Sequence, residues 1–299
     1  MNRIETLNEY ERRINCVMVY IHDHLDDELD MDKLAEIACF SPYHWHRIYR
    51  ALTGETAAQT VRRLRLHRAA GELSRDQDNL TGIAKRAGYG SIAAFNRAFR
   101  KSYGLPPAAY RARSLQRFKI NLPNEEDYKM YDVSIHSSEQ LRVVAMHHVG
   151  PYTEIGKAFE QLNVWANSKG IMNDDTRAFG IYYDDPTATE ESKLRSDAAF
   201  IVDDEFESDD NRFHTTRIES GRYAVLTFKG PYSELEKAYT WFYGTWLPAS
   251  GEEAAHKPLV EEYLNDVRET KPSELLTNIW KIHIEKLGFI DSNYSDAFG

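Results

Sequence analysis

Residues 33–111 carry one pattern twice, and no other feature limits the possible folds as much. KLAEIACFSPYHWHRIYRALTG runs from Lys33 to Gly54, and LTGIAKRAGYGSIAAFNRAFRKSYG from Leu80 to Gly104. Leu34 aligns with Ile83, Ala35 with Ala84, Ala38 with Ala87 and Phe40 with Tyr89. After one inserted residue Ser41 aligns with Ser91, Trp45 with Phe95, Arg47 with Arg97, Tyr49 with Phe99, Arg50 with Arg100 and Gly54 with Gly104. In each copy, apolar residues three and four apart predict a short amphipathic helix that ends at a small residue, Cys39 or Gly88. Ser41, with Pro42 at the first helical position, and Ser91 predict the caps of a second helix. Trp45, Ile48 and Tyr49 then face inward in one copy, and Phe95, Ala98 and Phe99 in the other. His46, Arg47, Arg50, Asn96, Arg97 and Arg100 are left on polar or flanking faces. Helix, tight turn and polar second helix is the arrangement that lays the second helix in a DNA major groove.

Residues 57–73 between the copies predict a strong helix with Val61, Leu64, Ala69 and Leu73 on its apolar side. It would hold the two reading helices at a fixed distance, with Arg62, Arg63, Arg65 and Arg68 available to phosphate. Residues 4–29, with Ile4, Leu7, Ile14, Val17, Met18, Ile21 and Leu25 at helical spacing, predict a lead-in helix.

The second copy reads Ile83-Ala84, Gly88-Tyr89, Phe95-Asn96-Arg97-Ala98-Phe99-Arg100, Gly104 and Pro107-Ala108-Ala109-Tyr110-Arg111. This resembles the AraC/XylS-type DNA-binding domain. The resemblance implies two reading helices in successive major-groove segments of double-stranded DNA, roughly 34 Å apart. Tyr43, His46 and Arg47, and Ile92, Ala93, Asn96 and Arg97, are then base-facing. Ser41, Arg50, Ser91, Arg100 and Lys101 fall to phosphate, which positions without specifying. Arg pairs with guanine and Asn with adenine, whereas Ile92 and Ala93 reach only a thymine methyl. The resemblance also implies RNA polymerase as a partner and activation as the outcome.

Charge divides the chain in the same way. Residues 33–119 hold 17 Lys/Arg against 5 Asp/Glu, and residues 120–299 hold 17 against 33. A basic module suited to counterion release on DNA is joined to an acidic one. We expect domains at 1–113 and 133–288, a linker over 114–132 where Pro123, Asn124 and an acidic cluster interrupt the helical period, and a tail over 289–299. There is no apolar run of 18 residues and no signal-peptide core, so a cytoplasmic protein without membrane contact is expected. Cys16 and Cys39 sit in helical patterns and are expected to be buried, reduced thiols. His22 and His24, like His44 and His46, are two apart, the wrong helical spacing for a shared metal ion, so neither metal nor other cofactor is expected.

The second domain is also a doublet. VVAMHHVGPYTEIGKAFEQLNVWANSKG and YAVLTFKGPYSELEKAYTWFYGTWLPASG pair Gly150-Pro151-Tyr152 with Gly230-Pro231-Tyr232, Glu154 with Glu234, Lys157 with Lys237 and Phe159 with Tyr239. Each half predicts strand, turn and helix, and the fold class is therefore α+β: an all-α double helix-turn-helix followed by two pseudo-repeated strand-helix-strand halves around an antiparallel sheet. With the closing stretch Glu261-Glu262-Tyr263-Leu264-Asn265-Asp266 and the strand Ile279-Trp280-Lys281-Ile282, this resembles the GyrI-like effector-binding domain.

That resemblance implies a carboxylate in an aromatic pocket. Glu261 is the matching position, with Glu262 as the alternative register, and Tyr152, Tyr182, Tyr232, Trp241, Tyr263 and Trp280 are candidates for the lining. A buried carboxylate among rings suits a lipophilic cation, which brings both the counter-charge and a face for cation–π contact. A transcription regulator answering to a small-molecule effector is the leading expectation, with no catalytic residue assigned. A hydrolase of reactive small molecules that uses Glu261 as base, or a module that binds another protein, is the alternative.

Overall fold

The computed structural model describes residues 3–27, 29–40, 42–75, 79–114, 130–173, 175–255, 257–282 and 284–286. Ser41, most of the expected linker and the expected tail lie outside them.

The basic half is helical: α1 Arg3–Asp23, α2 Met31–Ile37, α3 Pro42–Thr53, α4 Ala57–Arg75, α5 Leu80–Arg86, α6 Ile92–Tyr103 and α7 Pro107–Ser114. The two copies are α2–α3 and α5–α6, and their turns are built identically. Phe40 N–H donates to Ala35 O and Cys39 N–H to Glu36 O; in the second copy Tyr89 N–H donates to Ala84 O and Gly88 N–H to Lys85 O. These are the paired bonds of a Schellman cap, which needs a left-handed residue after the helix. Gly88 takes φ 81° at no cost, while Cys39 is forced to φ 50° and is the one non-glycine residue with positive φ among those described. Both cysteines are free and exposed, not buried as expected: Cys16 lies on the outer face of α1, and the cap turns Cys39 outward.

Helix α4 serves both copies. Its Val61 and Leu64 join the core of α1–α3 with Trp45 and Tyr49, and its Leu66, Ala69, Ala70 and Leu73 join the core of α5–α7 with Phe95, Phe99 and Tyr110. A shift of α4 therefore moves the two reading helices together.

The acidic half is an antiparallel eight-stranded sheet in the order β1-β6-β9-β8-β3-β4-β2-β5. The strands are β1 Asp132–Ser138, β2 Leu141–Val149, β3 Ala178–Tyr182, β4 Arg195–Ile201, β5 His214–Ile218, β6 Gly221–Lys229, β8 Leu259–Tyr263 and β9 Leu276–Ile282. Two short strands, β7 Glu252–Ala254 and β10 Ile284–Lys286, pair separately. Each half has four strands where two were expected, and its first strand is exchanged: β1 pairs with β6 of the second half, and β5 with β2 of the first. The order then reads the same from both ends, with a pseudo-twofold axis between β3 and β8. Helices α8 Gly156–Ser168 and α9 Leu235–Trp241 cover one face. Each enters through a Gly-Pro-Tyr turn whose glycine, Gly150 at φ 132° or Gly230 at φ 151°, takes a conformation that side chains disfavour.

The halves pack closely. Val164 of α8 is part of the core around α1. Arg63 of α4 is held by Glu55 at 2.6 Å and by Glu160 of α8 at 2.8 Å, and Glu160 also meets His22 at 3.2 Å. Although burial alone would raise the Glu160 carboxyl, the hydrogen bond from His22 and the Arg63 guanidinium hold it below the usual range.

Candidate reading helices and effector pocket

The reading helices present the expected polar surface. His46, Arg47 and Arg50 of α3 are exposed while Trp45 and Tyr49 are buried; the side chain of Tyr43 lies outside the described residues. On α6, Ser91 caps the helix by accepting from Ala94 N–H at 3.2 Å, and Ile92, Ala93, Arg97, Arg100 and Lys101 are exposed. Ile92 is 39% exposed, unusual for so large an apolar side chain at a helix start. Asn96 departs from a fully outward position: it is half-buried, and its Oδ1 is enclosed without a partner among the described residues.

The linker-helix arginines are corrected. Arg63 is consumed by Glu55 and Glu160, Arg65 donates to the carbonyls of Leu25 and Asp27, and Arg68 pairs with Asp26. These cations brace the helical half and its contact with α8, and only Arg62 of the four is exposed.

The second site lies on the pseudo-twofold axis. Glu261 of β8 is paired in register with Gly180 of β3 and Ile279 of β9, on the face covered by α8 and α9, and is 4% exposed. Tyr263 donates to its Oε2 at 2.8 Å, Tyr182 to the same oxygen at 3.3 Å, and Tyr239 of α9 to Oε1. The Tyr182 and Tyr263 hydroxyls also bond each other at 2.7 Å. Burial pushes the Glu261 carboxyl up, against the three phenol donors that lower it. A second ring layer stands edge-on to the first: Tyr152 against Tyr182 at 4.8 Å, Tyr232 against Tyr263 at 5.3 Å and Phe159 against Tyr263 at 5.3 Å.

Neighbouring residues on a strand alternate faces, and this separates Glu261 from Glu262. Glu262 lies on the opposite face, ion-paired with Arg177 at 2.7 Å. Trp280 is also on that face, between Phe179 and Tyr223, and does not approach Glu261. Trp241 is fully buried under Tyr131 in the core beneath α9. The expected lining is corrected at these two tryptophans.

The pattern of the GyrI-like small molecule binding domain matches residues 131–281. The chain belongs to the GyrI-like family. A helix-turn-helix domain pattern matches residues 34–113, so an AraC-type DNA-binding domain precedes the GyrI-like domain. The DNA gyrase inhibitor of Escherichia coli (strain K12) is 34% identical over 135 residues, 44% of this chain and 85% of that protein. The regulatory protein SoxS of the same organism is 31% identical over 104 residues, 35% of this chain and 97% of that one. A Bacillus subtilis (strain 168) protein named "Uncharacterized HTH-type transcriptional regulator YbfP" is 32% identical over 119 residues, 40% of this chain and 39% of its own length. The chain thus spans about two fifths of YbfP.

Three residues of the GyrI-like cage escape the sequence reading: Gly180, Tyr239 and Phe159. A Cβ on Gly180 would stand 2.8 Å from Tyr182 Cε2, 2.9 Å from the Tyr182 hydroxyl and 2.9 Å from the Tyr263 hydroxyl. The missing side chain is what lets both phenols fold over the sheet onto Glu261. The signal for the other two was in the doublet, which pairs Phe159 with Tyr239. Extended to the strands with an offset of 81, it also pairs Gly180 with Glu261, Tyr182 with Tyr263 and Asp185 with Asp266. The cage is a symmetric frame with one asymmetric contact, a carboxyl on one side and nothing on the other.

Among the described residues no helix is long and apolar enough to cross a membrane, and no group of His, Cys, Asp and Glu could hold a metal ion.

Proposed function

We propose that this chain is a DNA-binding transcription regulator whose GyrI-like domain takes a lipophilic cation at Glu261, and that it acts in the cytoplasm as an activator in contact with RNA polymerase. Residues 1–113 serve as the reader and 133–288 as the sensor. The carrying observation is the Glu261 carboxyl, buried and raised, beneath six rings that remain partly accessible. An uncompensated carboxylate is costly there, and an arriving cation offsets that cost while offering its surface to ring faces. Similarity to SoxS over nearly its whole length supports the regulatory part of this reading.

Binding without turnover is favoured over hydrolysis. Both carboxyl oxygens of Glu261 already accept from phenols, which leaves neither free to take a proton from an attacking water.

The test is calorimetric titration of the full chain with tetraphenylphosphonium and with uncharged triphenylphosphine oxide, on wild type and Glu261→Gln. Saturable binding of the cation alone, lost by at least about tenfold in the variant, a difference of about 1.4 kcal/mol, is expected. Equal binding of both compounds, or unchanged affinity in the variant, refutes the cation reading.

A further inference from the structure

The connection between β8 and β9, residues 264–275, starts directly after Tyr263 and reaches the DNA-binding half at two points. Arg268 Nη1 donates to the carbonyl of Thr53, the last residue of α3, at 2.7 Å. Its guanidinium is fixed from behind by Asp266, at 2.9 Å from Nε and 2.5 Å from Nη2. A Cβ on Gly54 would stand 3.4 Å from Arg268 Nη1. Two residues before the start of β9, the 3₁₀ turn Pro272–Glu274 puts Ser273 against Gly104, the C-cap of α6, where a Cβ would meet Ser273 Cβ and Oγ at 3.8 Å. Gly54 and Gly104 are the aligned glycines that close the two copies. One connection therefore touches the C-terminal ends of both reading helices.

Those ends are suited to being held. The last carbonyls of a helix lack internal partners and carry partial negative charge, which a guanidinium complements. Reading helices of this type address bases mainly through their N-terminal residues, so a clasp at the opposite ends leaves the DNA face open. The contact is specific to this half: at the pseudo-equivalent position in the first half stands Thr187, which bonds Asp185 of its own turn.

We propose that residues 264–275 couple the effector pocket to both reading helices, with Arg268 as the positioning residue. This rests on the reading of the Glu261 cage as the effector pocket. Without effector, Tyr263 is seated on Glu261 and Arg268 on Thr53. An effector on Glu261 displaces the Tyr263 phenol, shifts the connection that begins at the next residue, and resets the orientation of α3 relative to α6. The coupling is a free-energy difference between these two arrangements and is reciprocal, so DNA changes effector affinity by the same factor as effector changes DNA affinity.

The experiment uses the full chain and a duplex that the chain itself selects from random sequence. Duplex affinity is measured by fluorescence anisotropy with and without saturating tetraphenylphosphonium, on wild type, Arg268→Ala and Arg268→Lys. In wild type the cation changes duplex affinity by at least about fivefold. In Arg268→Ala the change falls below about twofold while the cation still binds at least as tightly as in wild type, and Arg268→Lys, which keeps one donor for Thr53, restores part of it. An undiminished change in Arg268→Ala overturns the proposal. A second arm needs no ligand: Tyr263→Ala, which removes the ring from Glu261, speeds hydrogen exchange at the Gly54 and Gly104 amides, and not at Ala84 or Ala87. Unchanged exchange at Gly54 and Gly104 overturns the clasp, whereas failure of tetraphenylphosphonium to bind wild type removes only the cation reading and leaves this arm to decide.

Discussion

Gly180→Ala adds one methyl group at the centre of the cage, and its cost follows from the geometry. The backbone of Gly180 lies in ordinary strand pairing with Glu261 and Ala198, so alanine is conformationally allowed. Leaving glycine in a strand gains about 0.5–1 kcal/mol. Against that, the new Cβ would sit 2.8–2.9 Å from the Tyr182 ring and the Tyr182 and Tyr263 hydroxyls. Overpacking of this kind costs about 1–3 kcal/mol. Moving the phenols also weakens two hydrogen bonds onto a buried carboxyl, each worth about 1 kcal/mol. The balance is a destabilisation of about 2–3 kcal/mol, read as a lower urea midpoint by circular dichroism, where ΔG falls linearly with denaturant. The decisive comparison is the same substitution in a Tyr182→Ala/Tyr263→Phe background, which removes the three nearest atoms. There the crowding disappears and Gly180→Ala becomes stabilising by about 0.5 kcal/mol. An equal cost in both backgrounds would refute the account of Gly180 as the space into which the tyrosines fold.

Because burial raises the Glu261 carboxyl and a bound cation would lower it, tetraphenylphosphonium affinity should rise with pH across the raised carboxyl range, with proton release there visible as a buffer-dependent calorimetric enthalpy, and pH-independent binding without release contradicts this. Buried Asp197 accepts from Tyr183 at 2.6 Å and faces His147 at 2.8 Å and His214 at 3.3 Å; despite the desolvation that opposes it, these bonds lower its carboxyl, and they raise His214. The Asp197 contribution should therefore be present above about pH 4 and lost as pH falls through its lowered value, while that of His214 is complete below about pH 6.5 and lost as pH rises through its raised value. Asp197→Asn should cost about 2–3 kcal/mol in urea unfolding at pH 6, and a loss under about 0.5 kcal/mol would contradict the network. Cys39→Gly relieves the left-handed strain at φ 50° and should stabilise the helical half by about 0.5–1 kcal/mol, unless unfolding is unchanged or earlier. Arg100→Ala should weaken all duplexes alike and reduce the salt slope by about 1, whereas Arg97→Ala should lose about 1–3 kcal/mol only on the selected duplex; the reverse pattern would exchange their roles.

The double helix-turn-helix was legible because two copies of one helical period, with matched caps, leave few ways to bury Trp45, Tyr49, Phe95 and Phe99. What composition obscured was the use of charge. A local excess of arginine is consistent with phosphate binding, yet Arg63, Arg65 and Arg68 are spent on Glu55, Glu160, Asp26 and backbone carbonyls. Those partners are brought together by chain folding and are invisible in a count. In the sheet, alternation fixes that Glu261 and Glu262 face opposite ways but not which face holds the pocket, and the same ambiguity placed Trp280 in the lining.

Gly180 was illegible for a deeper reason: its role is the volume it leaves vacant, and vacancy has no signature in one half read by itself. The internal doublet supplies one. Tyr182 and Tyr263, Tyr152 and Tyr232, and Phe159 and Tyr239 are matched pairs that duplication alone accounts for, and they build a frame with no preferred end. Phe159 and Tyr239 differ by the hydroxyl that reaches Glu261, and two further positions break the match and give the frame a direction. Glu261 stands where the other half has Gly180, and Arg268 where it has Thr187. The first puts one carboxyl beside the axis of the cage; the second joins the strand bearing that carboxyl to the helical half. On the proposed reading, a duplicated sheet would bind aromatic rings without either change, Glu261 would make that binding charge-selective, and Arg268 would carry it to α3.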